Sequence, residues 1–279
     1  MNVSRDLKQQ IGFEFDWPGR AAAQYFPPCG SLSQALGKNR PPGPRTVQST
    51  INATPALAGL FATAGVDIWH RGVHSFLVSI SLTENSPLWA AVAGYYATHY
   101  SVRAIAHLLG CFQLYSLKQV VRLSAAGGAY SCTYSSKKAN DREHTLYWRE
   151  VTTDPVFAND PLFADTSSGV EHRDRANYAD HLPRYPQIRN VDVERVQERV
   201  RKISQIELGT VPAPRASEYP DIEAVQMVAY HRILRFRELV DEALGAGNRF
   251  WNVHRDPPWA REYTDFQATE EPGLGRGHQ

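Results

Sequence analysis

The chain reads as a mainly α protein: a helical bundle carrying a small three-stranded antiparallel β-insert. Three observations predict this. Apolar residues recur at spacings of three and four over long stretches. Cap-then-proline pairs open two of those stretches. Between about 118 and 151 the period shortens to two, with glycine turns. At 279 residues, with 42% apolar and 21% charged residues, the chain is long enough to bury a substantial core.

Residues 1–53 carry Pro27, Pro28, Pro41, Pro42 and Pro44 with Gly30, Gly37 and Gly43, which predicts an extended arm packed through Phe13, Phe15, Trp17, Tyr25 and Phe26. Thr54-Pro55 is a helix start, Thr as cap and Pro at the first helical position. The helix it opens runs to about Leu82, interrupted in propensity by Gly65 and Gly72. Ser86-Pro87 repeats the signal and opens a second helix that Gly110 ends. The two form an antiparallel hairpin. Gln119–Leu123, Ala129–Tyr134 and His144–Val151 are rich in β-branched and aromatic residues and predict the three strands, with turns at Ala125–Gly128 and 137–141. Asp154–Ser168 reads as a loop or short helix. Asp192 caps a helix to about Leu208 with Val193, Val196, Val200 and Ile203 on one side. A last helix covers Asp221 to Leu244, its face made by Ile222, Val225, Ala229, Ile233, Phe236, Val240 and Leu244. The predicted organisation is therefore an arm over 1–53, a helical domain over 54–247 and an extended or disordered tail over 248–279.

The helix after Ser86 has two faces. Leu88, Val92, Tyr95, Val102, Ala106 and Leu109 suit a core. Tyr96, His99, Tyr100, Arg103 and His107 form a second stripe at the same spacing. Cations and imidazoles on an apolar helix need partners or a polar groove, so this stripe is a candidate site. A second cluster follows in Arg173, Arg175, Asn177, Tyr178 and His181. Both clusters suit metal-independent RNA cleavage. There the 2′-OH attacks its own phosphodiester, which requires a base, an acid and a cation on the phosphate. Histidine titrates near neutrality, arginine grips phosphate with two donors, and tyrosine stacks on a base. Two other readings stay open: a buried hydrogen-bonded network joining helices, and for Arg175 an ion pair with Asp174 or Asp180.

Composition excludes several classes. The formal net charge of +1 excludes a uniformly basic, histone-like protein, although residues 101–149 hold seven Lys/Arg against two Asp/Glu. Cys29, Cys111 and Cys132 form no CxxC pair. His70 and His74 lie at i, i+4 but lack an HExxH frame, so no metal is expected. GxGxxG, GxxxxGK[ST] and GxSxG are absent, and no cofactor is expected. No basic-then-apolar leader is visible and Arg103 interrupts the longest apolar stretch, so a cytoplasmic protein without a membrane span is expected.

The hairpin AGVDIWHRGVHSFLVSISL … SPLWAAVAGYYATHYSVRAIAHLLG resembles the first half of the HEPN (higher eukaryotes and prokaryotes nucleotide-binding) domain. Tyr95-Tyr96-Ala97, His99-Tyr100, Arg103 and Leu108-Leu109-Gly110 stand in places of its second-helix pattern, and Arg173–Tyr178 (RDRANY) is similar to an R…ANY element after those helices. The resemblance implies a small helical bundle, usually dimeric, in which an Arg followed at short spacing by a His cleaves RNA in toxin–antitoxin or antiviral modules. It places Arg175 as the phosphate-holding residue and His181 as base or acid, with Tyr96, His99, Tyr100, Arg103, His107, Arg173, Asn177 and Tyr178 binding RNA. The partners implied are RNA and a second copy. The rival is a non-catalytic interaction subunit that docks a partner through helix 87–109. A helical protein binding a small nucleotide is a third possibility.

Overall fold

The computed structural model describes residues 3–20, 29–43, 46–84, 86–114, 117–137, 143–164, 193–205 and 222–256. Among them are nine α-helices and one four-stranded antiparallel sheet, a mainly α fold. In chain order these are α1 (Arg5–Arg20), α2 (Cys29–Lys38), β1 (Thr46–Asn52), α3 (Pro55–Leu82), α4 (Pro87–Leu108), β2 (Cys111–Leu114), β3 (Gln119–Ala126), β4 (Ala129–Ser136), α5 (Glu143–Thr153), α6 (Pro161–Ala164), α7 (Val193–Ser204), α8 (Ile222–Leu244) and α9 (Arg249–His254). They fall into two compact units: residues 1–68, 102–160 and 238–254, and residues 69–101, 161–237 and 255–279.

The first unit is built on the sheet, in the order β1-β4-β3-β2. Gly127 and Gly128, at φ +56° and +82°, turn β3 into β4 and set Ala126 opposite Ala129. Along the strands, alternate residues Phe112, Leu114, Val121, Leu123, Tyr130, Cys132 and Tyr134 share one face. They bury it against Leu32 and Leu36 of α2 and Leu57, Phe61 and Ala64 of α3. Phe61 sits edge-on to Tyr130 at 4.9 Å and 5.2 Å from Phe112. The Tyr134 hydroxyl donates to the Leu36 carbonyl at 2.9 Å, pinning α2. On the opposite face Arg122 forms an ion pair with Glu150 of α5.

The structure departs from the sequence expectations at four places. The sheet has four strands, not three. Its edges β1 and β2 carry weak local signals, because prolines crowd the first and the helix-ending Gly110 directly precedes the second. His144–Val151 is not a strand but lies in α5, because Tyr147, Trp148 and Val151 are buried at helical spacing; periodicity outweighs β-propensity. The extended arm over 1–53 instead contains α1 and α2. Ser4 caps α1 through the Leu7 N–H (3.2 Å), and Ile11, Glu14 and Phe15 form its buried side. The tail contains α9. Asn248 caps it through the Trp251 N–H at 2.9 Å, and the Trp251 indole donates to Asp241 at 2.7 Å.

The second unit is helical. Gly72 lies against Ala97 and Ser101, and Gly94 against Ser79 and Val225, so α3 and α4 run antiparallel there, with glycines allowing close approach. Trp69 donates to the Ile233 carbonyl at 3.0 Å and stacks on Phe236 at 5.4 Å. Gln226, fully buried on α8, donates to the Ser79 carbonyl (3.1 Å), the Ser79 hydroxyl (3.1 Å) and the Thr83 hydroxyl (2.7 Å). Gln226→Leu keeps the volume and removes this node. We expect a loss of about 1–3 kcal/mol in urea unfolding; an unchanged midpoint would show that the node adds nothing.

The helix starts behave differently. The Thr54 hydroxyl accepts the Leu57 N–H at 3.3 Å, as its cap position predicts. The buried Ser86 hydroxyl makes no hydrogen bond, and only its carbonyl, accepting from Ala90 at 2.9 Å, begins α4.

Candidate functional site

The five candidate residues of α4 divide between the units. Tyr96, His99 and Tyr100 belong to the second. There His99 is 3% exposed and lies parallel to Tyr95, centroids 6.4 Å apart; Tyr96 and Tyr100 are half-buried and stacked at 6.0 Å. This is an aromatic ladder along one helix, with the imidazole inside it. Of the bulky α4 side chains described, Trp89 stands exposed, at 45%.

Arg103 and His107 belong to the first unit, one helical turn apart on α4. Gly110, at φ +78°, ends the helix, and its carbonyl accepts the Leu123 N–H at 2.8 Å. Helix end and sheet edge are thereby locked together. Phe112 of β2 consequently lies 4.7 Å from the His107 ring. Tyr147 of α5 covers both site residues: its ring lies 5.5 Å from the Arg103 guanidinium carbon and 5.8 Å from the His107 ring. Its hydroxyl accepts the Gln113 N–H at 3.2 Å, satisfying a backbone donor on the sheet edge.

These residues border a partly enclosed cavity of about 240 Å³. Its wall is Ser33 and Leu36 of α2, Ala64 and Ile68 of α3, Arg103 and His107 of α4, and Phe112 to Leu114 of β2, with Leu32 beside them. Six of the lining residues are apolar and four are polar, Ser33, Arg103, His107 and Gln113; no carboxylate is among the lining residues. Arg103 is the one permanent cation of this wall, and Phe112, Leu36 and Leu114 are at most 3% exposed and belong to the packed core.

Of the residues that the sequence singles out, Arg103 and His107 line this cavity. Tyr147, expected in a strand, and Ser33, expected in an extended arm, adjoin it as well. Phe112, which the sequence did not single out, borders it too. Arg173, Arg175, Asn177, Tyr178 and His181 lie outside the described residues.

Other chemistry finds less support. Burial, with Glu150 nearby, pushes the Cys111 thiol up to about 12, and burial raises Cys132 to about 11. Both thiols stay protonated and unreactive at neutral pH. His70 packs on Trp69 at 5.4 Å while His74 is exposed. Among the described residues no group of three His, Cys, Asp or Glu could hold a metal, and no helix is long and apolar enough to cross a membrane. No protein-family model, curated protein or solved structure matches the chain significantly.

Proposed function

We propose that the protein is an RNA-directed effector, HEPN-like in type, of a bacterial defence or toxin module. The observation that supports this reading is the presence of Arg103 and His107 at one cavity, a cation and an imidazole one helical turn apart, a pairing that suits phosphate. In the enzymatic form, the 2′-oxygen bonds to phosphorus as the bond to the 5′ oxygen breaks. His181 takes the 2′ proton or delivers one to the departing oxygen, and Arg175 holds the phosphate charge. Two copies of the chain would face each other across that pair. Arg175→Ala and His181→Ala are each expected to reduce cleavage of single-stranded RNA at least about a hundredfold, the usual contribution of a general acid or base. Cleavage undiminished in both variants removes these two residues from the mechanism.

A second reading, a non-catalytic interaction subunit, is favoured by one observation, the exposed Trp89 on the same helix as half-buried Tyr96 and Tyr100. Salt separates the two readings. Phosphate contacts release counterions, so RNA affinity falls steeply with ionic strength, whereas an aromatic docking surface holds.

A further inference from the structure

We infer that the edge strand β1 is a self-pairing surface: a second copy of this chain docks its own β1 there, antiparallel, and the two four-stranded sheets become one. The inference goes beyond the RNA-directed reading and does not rest on it. The backbone carries it first. The Ala53 N–H donates to the Gly128 carbonyl at 3.0 Å. In the register that follows, Ile51, Ser49 and Val47 exchange their backbone hydrogen bonds with Tyr130, Cys132 and Tyr134 of β4. The far side of β4 agrees. The Lys137 N–H donates to the Lys118 carbonyl at 3.0 Å, which gives the alternate residues of β4 to β3. Thr46, Gln48 and Thr50 therefore turn their N–H and C=O groups away from the sheet. Among the described residues only β4 pairs with β1, and Thr46, Gln48, Thr50 and Asn52 are exposed.

The sequence of the strand comes second. Open edges ordinarily carry a charge, a proline or a bulge that repels another strand. Thr46–Asn52 (TVQSTIN) holds neither a charge nor a proline, and its register with β4 runs through all seven residues without a bulge. Symmetry then selects the occupant. A two-fold axis at Ser49 overlaps the strand with its own copy along its whole length. It sets Gln48 against Thr50 of the second copy, so their outward backbone groups bond on both sides of the axis. It sets Val47 against Ile51 of the second copy, two β-branched side chains in the closely spaced class of pair. Val47 and Ile51 both pack on the core side of the sheet, so apolar meets apolar, and a slip of one residue would break that match. A neutral strand also meets its own copy without like-charge repulsion.

Sedimentation equilibrium on the full chain over a concentration series tests this. Gln48→Lys with Thr50→Lys sets like charges directly opposite one another on both sides of the axis. Gln48→Lys with Thr50→Glu sets opposite charges there. Both positions are exposed, and thermal melting reports whether each double variant is folded. We expect a wild-type dimer, a dimer weakened about tenfold or more in the first double variant, and recovery in the second. Oxidative crosslinking decides should a charged variant unfold. Ser49→Cys, on the axis, should give a covalent dimer above the wild-type level, whereas Thr50→Cys, facing Gln48, should not. A wild type that stays monomeric at every concentration overturns the proposal. So does a dimer equally stable in all three proteins, or crosslinking that is equal at positions 49 and 50. Neither readout involves RNA, so failure here is distinct from failure of the RNA-directed reading.

Discussion

Replacing Glu14 with Gln is expected to raise the melting temperature by several degrees at pH 8 and to leave it nearly unchanged at pH 4. Glu14 sits on α1, 2% exposed. Gln10 on the same helix and the Tyr130 hydroxyl of β4 face its carboxyl. Burial raises its pKa well above the ordinary value of 4.5, against the lowering effect of those two neighbours. The folded chain therefore holds a proton that the unfolded chain releases once pH exceeds about 4.3. Between that pH and the raised value, stability falls as pH rises. Burial, and the Glu14 carboxyl beside it, also raises the Tyr130 hydroxyl far above the ordinary tyrosine range, so it remains protonated over the same window. Gln keeps the shape and cannot ionise, so the variant removes this slope. Thermal melts from pH 4 to 9 check it; parallel curves for both proteins would show that Glu14 titrates as an ordinary carboxyl.

Gly110→Ala is expected to cost about 3 kcal/mol or more, combining left-handed strain of about 1–2 kcal/mol for a residue with a Cβ with a steric conflict. At φ +78° an added Cβ would stand 2.3 Å from the Leu123 carbonyl oxygen, and the backbone there is bound on both sides. Gly110 donates to the His107 carbonyl at 2.9 Å and accepts from Leu123. The substitution pushes the end of α4 away from β3 and shifts His107 relative to Phe112. Denaturant unfolding gives the number. A loss under about 1 kcal/mol would mean that the turn relaxes at little cost.

Much of the helical frame was legible because its signals are local. α3, α7 and α8 carry apolar residues at spacings of three and four, and Thr54 with Pro55 marks a start that the hydrogen bonds reproduce. The β3–β4 hairpin was legible for the same reason, since Gly127 and Gly128 both take positive φ. What escaped depends on distant partners. Thr46–Asn52 has β-branched residues, but it becomes a strand only by pairing with β4. α5 has the composition of a strand and the burial of a helix. Arg103 and His107 were found because a cation and an imidazole on an apolar helix are locally anomalous. Tyr147, which covers them, is an unremarkable tyrosine in sequence and gains its place from the packing of α5 on the sheet edge.

We propose that this chain engages RNA through phosphate at the Arg103 cavity. The most direct measurement is equilibrium binding of a 5′-phosphorylated single-stranded RNA to wild type and Arg103→Gln at a series of salt concentrations. Saturable binding by the wild type is expected, its logarithm falling linearly with log salt with a slope of about 0.7 per phosphate contacted, and the variant should bind more weakly with a shallower slope. Binding that is absent, or that is identical in affinity and salt slope for the two proteins, would contradict it.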